Sequence, residues 1–285
     1  MPLERKSGRS TDSLRPIKIS YDLFSYAPGS VLLELGDTKV LCTVSLQQGV
    51  PPFLRGKGKG GWLNAEYSLL PNATHVRTTR ETSSTNRNGR TVEISRLISR
   101  VLRTVVDLSL LGEQTLFVDC DVLQADGGTR VASICAASLA LEQAQTKLLA
   151  SGAIKAVFLK ESVAAVSVGV VRSEVLLDPD YVEDSTIDAD FNIILTESNR
   201  LIEIQGGAEK VPLSWDLFHQ VQACAIKGVE QIFETTKNMK YAVASSSKVD
   251  DNGGVFAQKN DSNQGAKAPF FSLKNRLSMV DADAS

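Results

Sequence analysis

A predicted strand, a glycine turn and a predicted helix follow one another directly in the middle of the 285-residue chain, and this succession constrains the fold more than any other feature. We interpret the segment TLFVDCDVLQ, residues 115–124, as the strand, and the Ala- and Ser-rich segment that continues to about residue 150 as the helix. Glycines allow the backbone of the turn to approach an anion closely, and a helix N-terminus directs unpaired N–H groups at it. The turn therefore predicts an anion site at Gly128, Thr129 and Arg130. The turn lacks the GxxxxGK pattern of a Walker A loop, so the sequence does not support nucleoside-triphosphate hydrolysis of that type.

The helix terminus cannot hold a phosphate by itself. Its electrostatic contribution is roughly 0.3 to 1 kcal/mol, whereas binding an anion at about 1 mM requires roughly 4 kcal/mol. Each charge-assisted hydrogen bond contributes about 1.5 to 3 kcal/mol, so a second arginine that converges on the turn would close the gap. Arg90, in the segment Asn88-Gly89-Arg90-Thr91, is the best candidate. A surface residue near a helix cap is the alternative interpretation of Arg90.

A second predicted helix follows Arg90. Its apolar residues recur at helical spacing and are Ile94, Leu97, Ile98, Val101, Leu102 and Val105. Three arginines line one edge of the opposite face, at positions 96, 100 and 103. These arginines could bind phosphate groups, or they could pair with the flanking acids Glu93 and Asp107.

Positive charge is concentrated in one part of the chain. The whole sequence has a formal charge of -2, but residues 55–103 contain ten basic and three acidic residues, a local charge of +7. A basic block in an otherwise acidic protein is typical of a surface that binds phosphate or nucleic acid. A solvated charged face is the alternative.

Acidic side chains crowd residues 181–191, which connect two predicted strands. The four carboxylates are those of Glu183, Asp184, Asp188 and Asp190. Like charges on one connection repel each other, and a hard cation relieves this repulsion; Mg²⁺ takes one or two carboxylates plus phosphate oxygens. We predict Asp184 and Asp190 as metal ligands. An acidic loop whose Asp residues form turns is the alternative.

The remaining patterns predict one large domain or two small ones. Residues 17–46 indicate antiparallel strands with a tight turn at Gly36-Asp37, residues 163–178 and 191–205 indicate further strands, and residues 213–234 indicate a last helix. From about residue 242 the composition changes to Ser, Asp, Asn, Gly, Gln and Lys. We therefore predict a folded domain over residues 1–241 and a disordered, low-complexity tail over residues 242–285. Docking of its apolar stretch PFFSLKNRLSMV on a partner is the alternative.

Cysteine and histidine usage excludes several kinds of site. The four cysteines are widely separated and include no CxxC pair, so we expect buried thiols. Two histidines, His75 and His219, are too few for a multi-histidine metal site.

The N-terminal residues contain no apolar leader, and no run of 18 apolar residues occurs in the sequence. We expect a cytoplasmic protein that does not enter a membrane.

From Arg9 to about Phe233 the chain resembles ribonuclease PH, the family of phosphate-dependent tRNA nucleotidyltransferases. The motifs that carry the resemblance are LRP at 14–16, LGDTKVLC at 35–42, GVPPFL at 49–54, AEY at 65–67, GRT at 89–91, DCDVLQADGGTR at 119–130, AAVSVG at 164–169, YVEDS at 181–185 and IQG at 204–206. Three positions depart from the family pattern. Asn72 stands where relatives commonly have a basic residue, and Ser7 stands where an Asp is usual. Gly207 stands where relatives often have a Thr after Gln-Gly.

The resemblance implies a ribosomal protein S5 domain 2-like α+β fold, the RNase PH fold, with mixed sheets and packed helices. It also implies a homohexamer assembled as a trimer of dimers. The phosphate ligands of the family fall on Arg90, Gly128, Thr129 and Arg130. The acidic pair of the family falls on Asp184 and Asp190, and the arginines that hold the tRNA body fall on Arg77 and Arg80, on a loop that faces a neighbouring active site. Together with the basic block, these positions give a predicted RNA-binding set of Arg77, Arg80, Arg96 and Arg100.

The expected activity is 3′ trimming of tRNA precursors by phosphorolysis, with inorganic phosphate as co-substrate and Mg²⁺ as cofactor. Nucleoside diphosphates are released, and the reaction is reversible as nucleotidyl transfer. The predicted catalytic residues are Arg130, Asp184 and Asp190. A non-catalytic RNA-binding ring subunit of the same fold and a water-using nuclease that releases monophosphates are the alternatives.

Overall fold

The computed structural model describes residues 5, 7–58, 60–80 and 88–246. Contacts divide the chain into two units, Met1–Ala244 and Ser245–Ser285. All strands and all of the site residues discussed below belong to the first unit.

A five-stranded sheet forms the first half of the fold. Its strands are β1 Ile17–Tyr21, β2 Gly29–Leu35, β3 Thr38–Gln48, β4 Trp62–Leu69 and β5 Gln114–Gln124, in the order β1-β2-β3-β5-β4. The predicted hairpin is confirmed, because Leu35 pairs with Thr38 across Gly36-Asp37 and Gly36 has a φ of 58°. The predicted strand at 115–124 is confirmed as β5.

Strand β4 was not predicted from the sequence. Its side chains alternate, with Leu63, Ala65 and Tyr67 buried, and it runs parallel to β5. Parallel neighbours require a crossover connection, and helix α1, Gly89–Val105, lies on the chain between these two strands. The predicted helix after Arg90 is therefore confirmed, and its buried side chains include the six apolar residues that define the spacing.

Helix α2, Thr129–Ala150, lies in the core between two sheets. Every residue from Val131 to Leu141 is buried, which is typical of a helix with neighbours on all sides. Small side chains permit this close packing: a Cβ added at Gly29 on β2 would lie 2.2 Å from the main-chain oxygen of Ala140. The N-terminus of α2 is therefore fixed by the core.

A four-stranded antiparallel sheet covers the other side of α2. Its strands are β6 Val163–Val171, β7 Glu174–Leu177, β8 Ala189–Thr196 and β9 Leu201–Ala208, in the order β7-β6-β8-β9. One helical turn, α3 Tyr181–Asp184, connects β7 to β8. The strands predicted at 163–178 and 191–205 are confirmed, and so is the α+β class.

The last helix is longer than predicted. Helix α4 spans Trp215–Ser246, so it continues past residue 241, where the sequence analysis ended the domain. Alanine is the best helix former, and the segment Ala242-Val243-Ala244 allows the helix to enter the Ser-rich region. The helix thus includes residues 242–246 of the predicted tail, and residues 247–285 lie outside the described residues. Within the described part of the chain, none of the helices combines the length and apolar character that crossing a membrane requires.

Candidate active site

A cavity of about 840 Å³ opens where α2 begins. Its wall includes Arg90 from the first turn of α1, Gly128 and Thr129 from the start of α2, and Asp184 from α3. Arg80 also lines it. The fold thus brings five of the residues predicted from the sequence to one cavity.

The glycine turn has the backbone conformation that the sequence predicts. Gly127 and Gly128 have φ values of 76° and 66°, and Gly128 is the N-cap residue of α2. As glycine has no side chain to cap the helix, the first N–H groups of α2 remain available to an anion in the cavity. A Cβ at Gly127 would lie 2.8 Å from the main-chain oxygen of Pro179, so the turn also packs directly against the segment that begins α3.

Buried polar side chains hold this turn from behind. Thr38 Oγ1 donates to the main-chain oxygen of Gly127 at 2.7 Å, and Arg15 Nη2 donates to the same oxygen at 3.2 Å. The Asp178 carboxylate accepts from Arg15 Nε at 2.9 Å and from Nη2 at 2.7 Å. These residues have no role predicted from the sequence, although Arg15 and Thr38 belong to the motifs LRP and LGDTKVLC.

Tyr67 supports Thr129 from the core. Its hydroxyl and Thr129 Oγ1 share a hydrogen bond of 2.9 Å. Burial raises the pKa of Tyr67, while the bond to Thr129 and the charges of Arg90 and Arg130 oppose that rise.

Arg130 is engaged in a closed set of hydrogen bonds beside the cavity. Its Nη1 donates to Gln205 Oε1 at 2.5 Å, and its Nη2 donates to Glu93 Oε2 at 2.8 Å. Gln205 Nε2 closes the set by donating to Glu93 Oε1 at 2.9 Å. The side chain predicted to bind phosphate thus links α1, α2 and β9, whereas Arg90 faces the cavity. Gln205 has no role predicted from the sequence, although it belongs to the motif IQG at 204–206.

Two of the four clustered carboxylates, those of Glu183 and Asp188, bind groups outside the predicted site. Glu183 Oε2 is 2.6 Å from Arg5 Nη2. Asp188 Oδ2 accepts from the main-chain N–H of Arg172 at 2.8 Å. Asp184 and Asp190, the two predicted metal ligands, have different surroundings.

Asp184 lines the cavity, whereas Asp190 lies outside its lining, on β8, and acts on Asp184 through its charge. Burial raises the pKa of Asp184, as do the charges of Asp190 and Glu209, while Arg90 lowers it. Burial also raises the pKa of Asp190, against hydrogen bonds from Ser167 and Asn192 at 3.1 and 3.2 Å and the charge of Arg130. Asp184 is exposed at the cavity wall and Asp190 is half-buried at the start of β8, and the charge of a neighbouring carboxylate raises the pKa of each.

This pair fits a hard divalent cation that also binds phosphate oxygens. Two oxygen-donor carboxylates that repel each other are the protein ligands Mg²⁺ typically uses. Among the described residues, no group of three or more His, Cys, Asp or Glu side chains is placed to hold a metal ion. A metal at Asp184 and Asp190 would therefore complete its coordination with water and substrate.

The other arginines predicted to bind RNA differ in their surroundings. Arg77 and Arg96 are exposed. Arg100 pairs with Glu203 on β9, its Nε donating to Oε2 at 2.8 Å. Arg103 lies over the Trp62 ring, 3.9 Å from its centre. Arg100 therefore pairs with an acid of β9 and not with the flanking Glu93 or Asp107, and binding of phosphate groups by Arg96 and Arg100 stays a prediction.

The fold and the cavity define an α+β protein in which the N-terminus of α2 and the Asp184 carboxylate line one cavity. Residues 13–147 match the family model of RNase PH described as 3′ exoribonuclease family, domain 1, and residues 161–228 match domain 2 of the same family. The chain belongs to the RNase PH family of 3′ exoribonucleases.

Solved structures share this fold. A chain of the Archaeoglobus fulgidus exosome with RNA bound to the active site is 26% identical, with a TM-score of 0.68 over 82% of this chain and 92% of that chain. A chain of an archaeal exosome core is also 26% identical, with a TM-score of 0.66 over 82% and 91% of the two chains. Rice (Oryza sativa) Rrp46 is 18% identical, with a TM-score of 0.66 over 82% and 99%, and at that identity the likeness concerns the fold alone.

Proposed function

We propose that this protein is a phosphorolytic 3′-to-5′ exoribonuclease that trims the 3′ ends of tRNA precursors. One observation carries the proposal: Arg90 and the N-terminal turn of α2 share a single cavity with Asp184. An anion-binding turn beside carboxylates is what a reaction between free phosphate and an RNA phosphodiester requires. Membership of the RNase PH family supports the same reaction class.

In the proposed reaction, inorganic phosphate lies against Arg90, Thr129 and the backbone N–H groups at Gly128. A phosphate oxygen attacks the phosphorus of the last phosphodiester, and the bond to the 3′-oxygen of the preceding nucleotide breaks. That 3′-oxygen takes up the proton that the attacking hydrogen phosphate loses, and a nucleoside diphosphate leaves. Because a phosphodiester is exchanged for a diphosphate, nucleoside diphosphates should drive the reverse reaction.

The protein contributes mainly positioning and electrostatic stabilisation. Asp184 and Asp190 would hold Mg²⁺, which when bound neutralises charge that develops on the phosphoryl group and the leaving oxygen. Arg130, 20% exposed in its side chain, would add positive charge from the side of Asp190. Arg77, Arg80, Arg96 and Arg100 would bind the RNA backbone with a strong dependence on salt.

Incubation with a 3′-extended tRNA, with and without phosphate, tests the proposal. Phosphate-dependent shortening with release of nucleoside diphosphates is the expected result. Monophosphates released without phosphate would identify a water-using nuclease instead. The expected homohexamer and the cytoplasmic location belong to this proposal, and light scattering on the purified chain tests the assembly.

One observation favours a second candidate, a non-catalytic RNA-binding ring subunit. The Arg130 guanidinium is engaged by Glu93 and Gln205 and not by the cavity. The 26% identical exosome chains are parts of larger assemblies by their descriptions. Under this candidate, the protein retards a labelled tRNA in a gel but does not shorten it at any phosphate concentration.

A further inference from the structure

Arg5 anchors the N-terminal segment behind the candidate active site. Its side chain is 0% exposed, and its guanidinium donates to both carboxylate oxygens of Glu183, at 2.8 and 2.6 Å. It also donates to the main-chain oxygens of Leu177 and Asp178, each at 2.9 Å, and to that of Ser10 at 3.2 Å. A charge this deeply buried is tolerated only where it is paired and hydrogen-bonded. Arg5 and Glu183 therefore differ from the exposed ion pairs of the surface.

Glu183 also shapes α3. A helix of four residues does not form by itself, because the conformational entropy lost in nucleating a helix exceeds the stabilisation from the hydrogen bonds of a single turn. A capping box holds this turn: Asp180 Oδ1 accepts from the Glu183 N–H at 2.9 Å, and Glu183 Oε2 accepts from the Asp180 N–H at 3.0 Å. The same Oε2 accepts from Arg5. The residue after Glu183 is Asp184, which lines the cavity. The hydrogen bonds that fix Glu183 therefore act one position away from the cavity wall.

The residues just before α3 are also connected to the glycine turn. Asp178 accepts from Arg15, which also donates to the Gly127 main-chain oxygen. Arg9 adds a further link, with its Nη1 3.6 Å from Asp178 and its Nη2 3.5 Å from Glu183. Arg5, Arg9 and Arg15 therefore set how α3 lies relative to the turn at Gly127 and Gly128.

We propose that Arg5 is a positioning residue: through Glu183 it fixes α3, and thereby the Asp184 carboxylate, in the cavity. The catalytic part of this inference rests on the proposed phosphorolysis. A displacement of about 1 Å in a reacting group can cost about 100-fold in rate. The ligands assigned to phosphate, Arg90 and Thr129, belong to other elements, so loss of Arg5 changes turnover more than phosphate binding.

The test compares Arg5→Gln, Arg5→Lys and the wild-type chain. Arg5→Gln should lower kcat by about 100-fold, with the KM for phosphate little changed. Calorimetry without RNA should show Mn²⁺ binding about tenfold more weakly to Arg5→Gln, as is typical when the support of a metal ligand is removed. Arg5→Lys retains the charge next to Glu183 and should recover part of both losses.

Asp12→Ala provides the matched control. Lys227 pairs with the Asp12 carboxylate, and this exposed ion pair ties the same N-terminal segment to α4 without touching Glu183. Asp12→Ala should leave kcat and Mn²⁺ affinity within about twofold of the wild type, since exposed ion pairs contribute little. An equal loss in Asp12→Ala and Arg5→Gln would overturn the inference, because general loosening of the segment would then be sufficient.

Glu183→Gln keeps the inference testable if Arg5→Gln does not fold. Glutamine retains an oxygen for the Asp180 N–H but loses the ion pair, so kcat should fall about tenfold while thermal unfolding stays cooperative. Wild-type kcat and Mn²⁺ affinity in a folded Arg5→Gln or Glu183→Gln variant would overturn the inference. If the wild-type chain shows no phosphorolysis, the proposed function fails, and the Mn²⁺ affinities still decide the role of Arg5.

Discussion

Replacing Arg90 with alanine tests binding of phosphate with little expected effect on the stability of the fold. The side chain is exposed and faces the cavity, and only its backbone N–H takes part in the helix cap, donating to Asn88 Oδ1 at 3.0 Å. A hydrogen bond to a charged group contributes about 1.5 to 3 kcal/mol. At about 1.4 kcal/mol for each factor of ten, the KM for phosphate should rise about 10- to 150-fold. Because an exposed side chain is removed, the free energy of unfolding should change by less than about 0.5 kcal/mol.

The assay follows release of nucleoside diphosphate from a 3′-extended tRNA at saturating RNA while phosphate is varied. Arg90→Lys keeps the charge but not the planar fork, so its KM should lie between those of the wild type and Arg90→Ala. Arg200→Ala is the matched control, since it removes an arginine that is 72% exposed and pairs with Glu161. If Arg90→Ala is folded and its KM for phosphate lies within about twofold of wild type, the assignment of Arg90 by this hydrogen-bond argument is wrong.

Three further predictions concern the residues around the cavity. Arg130→Ala should lose about 10² to 10³ in phosphorolysis rate while keeping its fold and most of its tRNA affinity; wild-type activity, measured by diphosphate release, would refute its catalytic role. Asp184→Asn should raise the melting temperature in EDTA at pH 7, because a carboxylate whose pKa is raised in the folded state destabilises it once ionised. That gain should disappear as the pH falls below 3.8, the ordinary Asp value, and a gain independent of pH would contradict the electrostatic explanation. Gly127→Ala should lower the free energy of unfolding by about 1 to 3 kcal/mol more than Gly112→Ala does. Both glycines have positive φ, but of the two only Gly127 would bring a Cβ against the backbone of residues 179–181. Equal losses of stability in urea unfolding would show that this contact is loose.

Local patterns predicted the parts of the fold that depend on neighbours in sequence. Gly36-Asp37 fixed a hairpin, and the apolar spacing from Ile94 to Val105 indicated α1. Strand β4 was missed because it directly follows a glycine-rich stretch, although its alternation could have been read. Helix α3 is a single turn, too short for any periodicity to appear.

The candidate site was predictable only in part. Gly128, Thr129 and Asp184 were identified because a glycine turn and an acidic connection are visible in a few adjacent residues. Their supports were not, because the partners are far apart along the chain. Arg15 and Asp178 are separated by 163 positions, and Arg130 and Gln205 by 75. Such pairs exist only after the two sheets have packed on α2.

The origin of the phosphate in the product tests the central claim most directly. The protein is incubated with a 3′-extended tRNA, Mg²⁺ and radiolabelled inorganic phosphate, and the released nucleotides are separated. Phosphorolysis predicts nucleoside diphosphates that carry the label in the β-phosphate, one for each nucleotide removed. Unlabelled monophosphates, or an intact tRNA at every phosphate concentration, would contradict it.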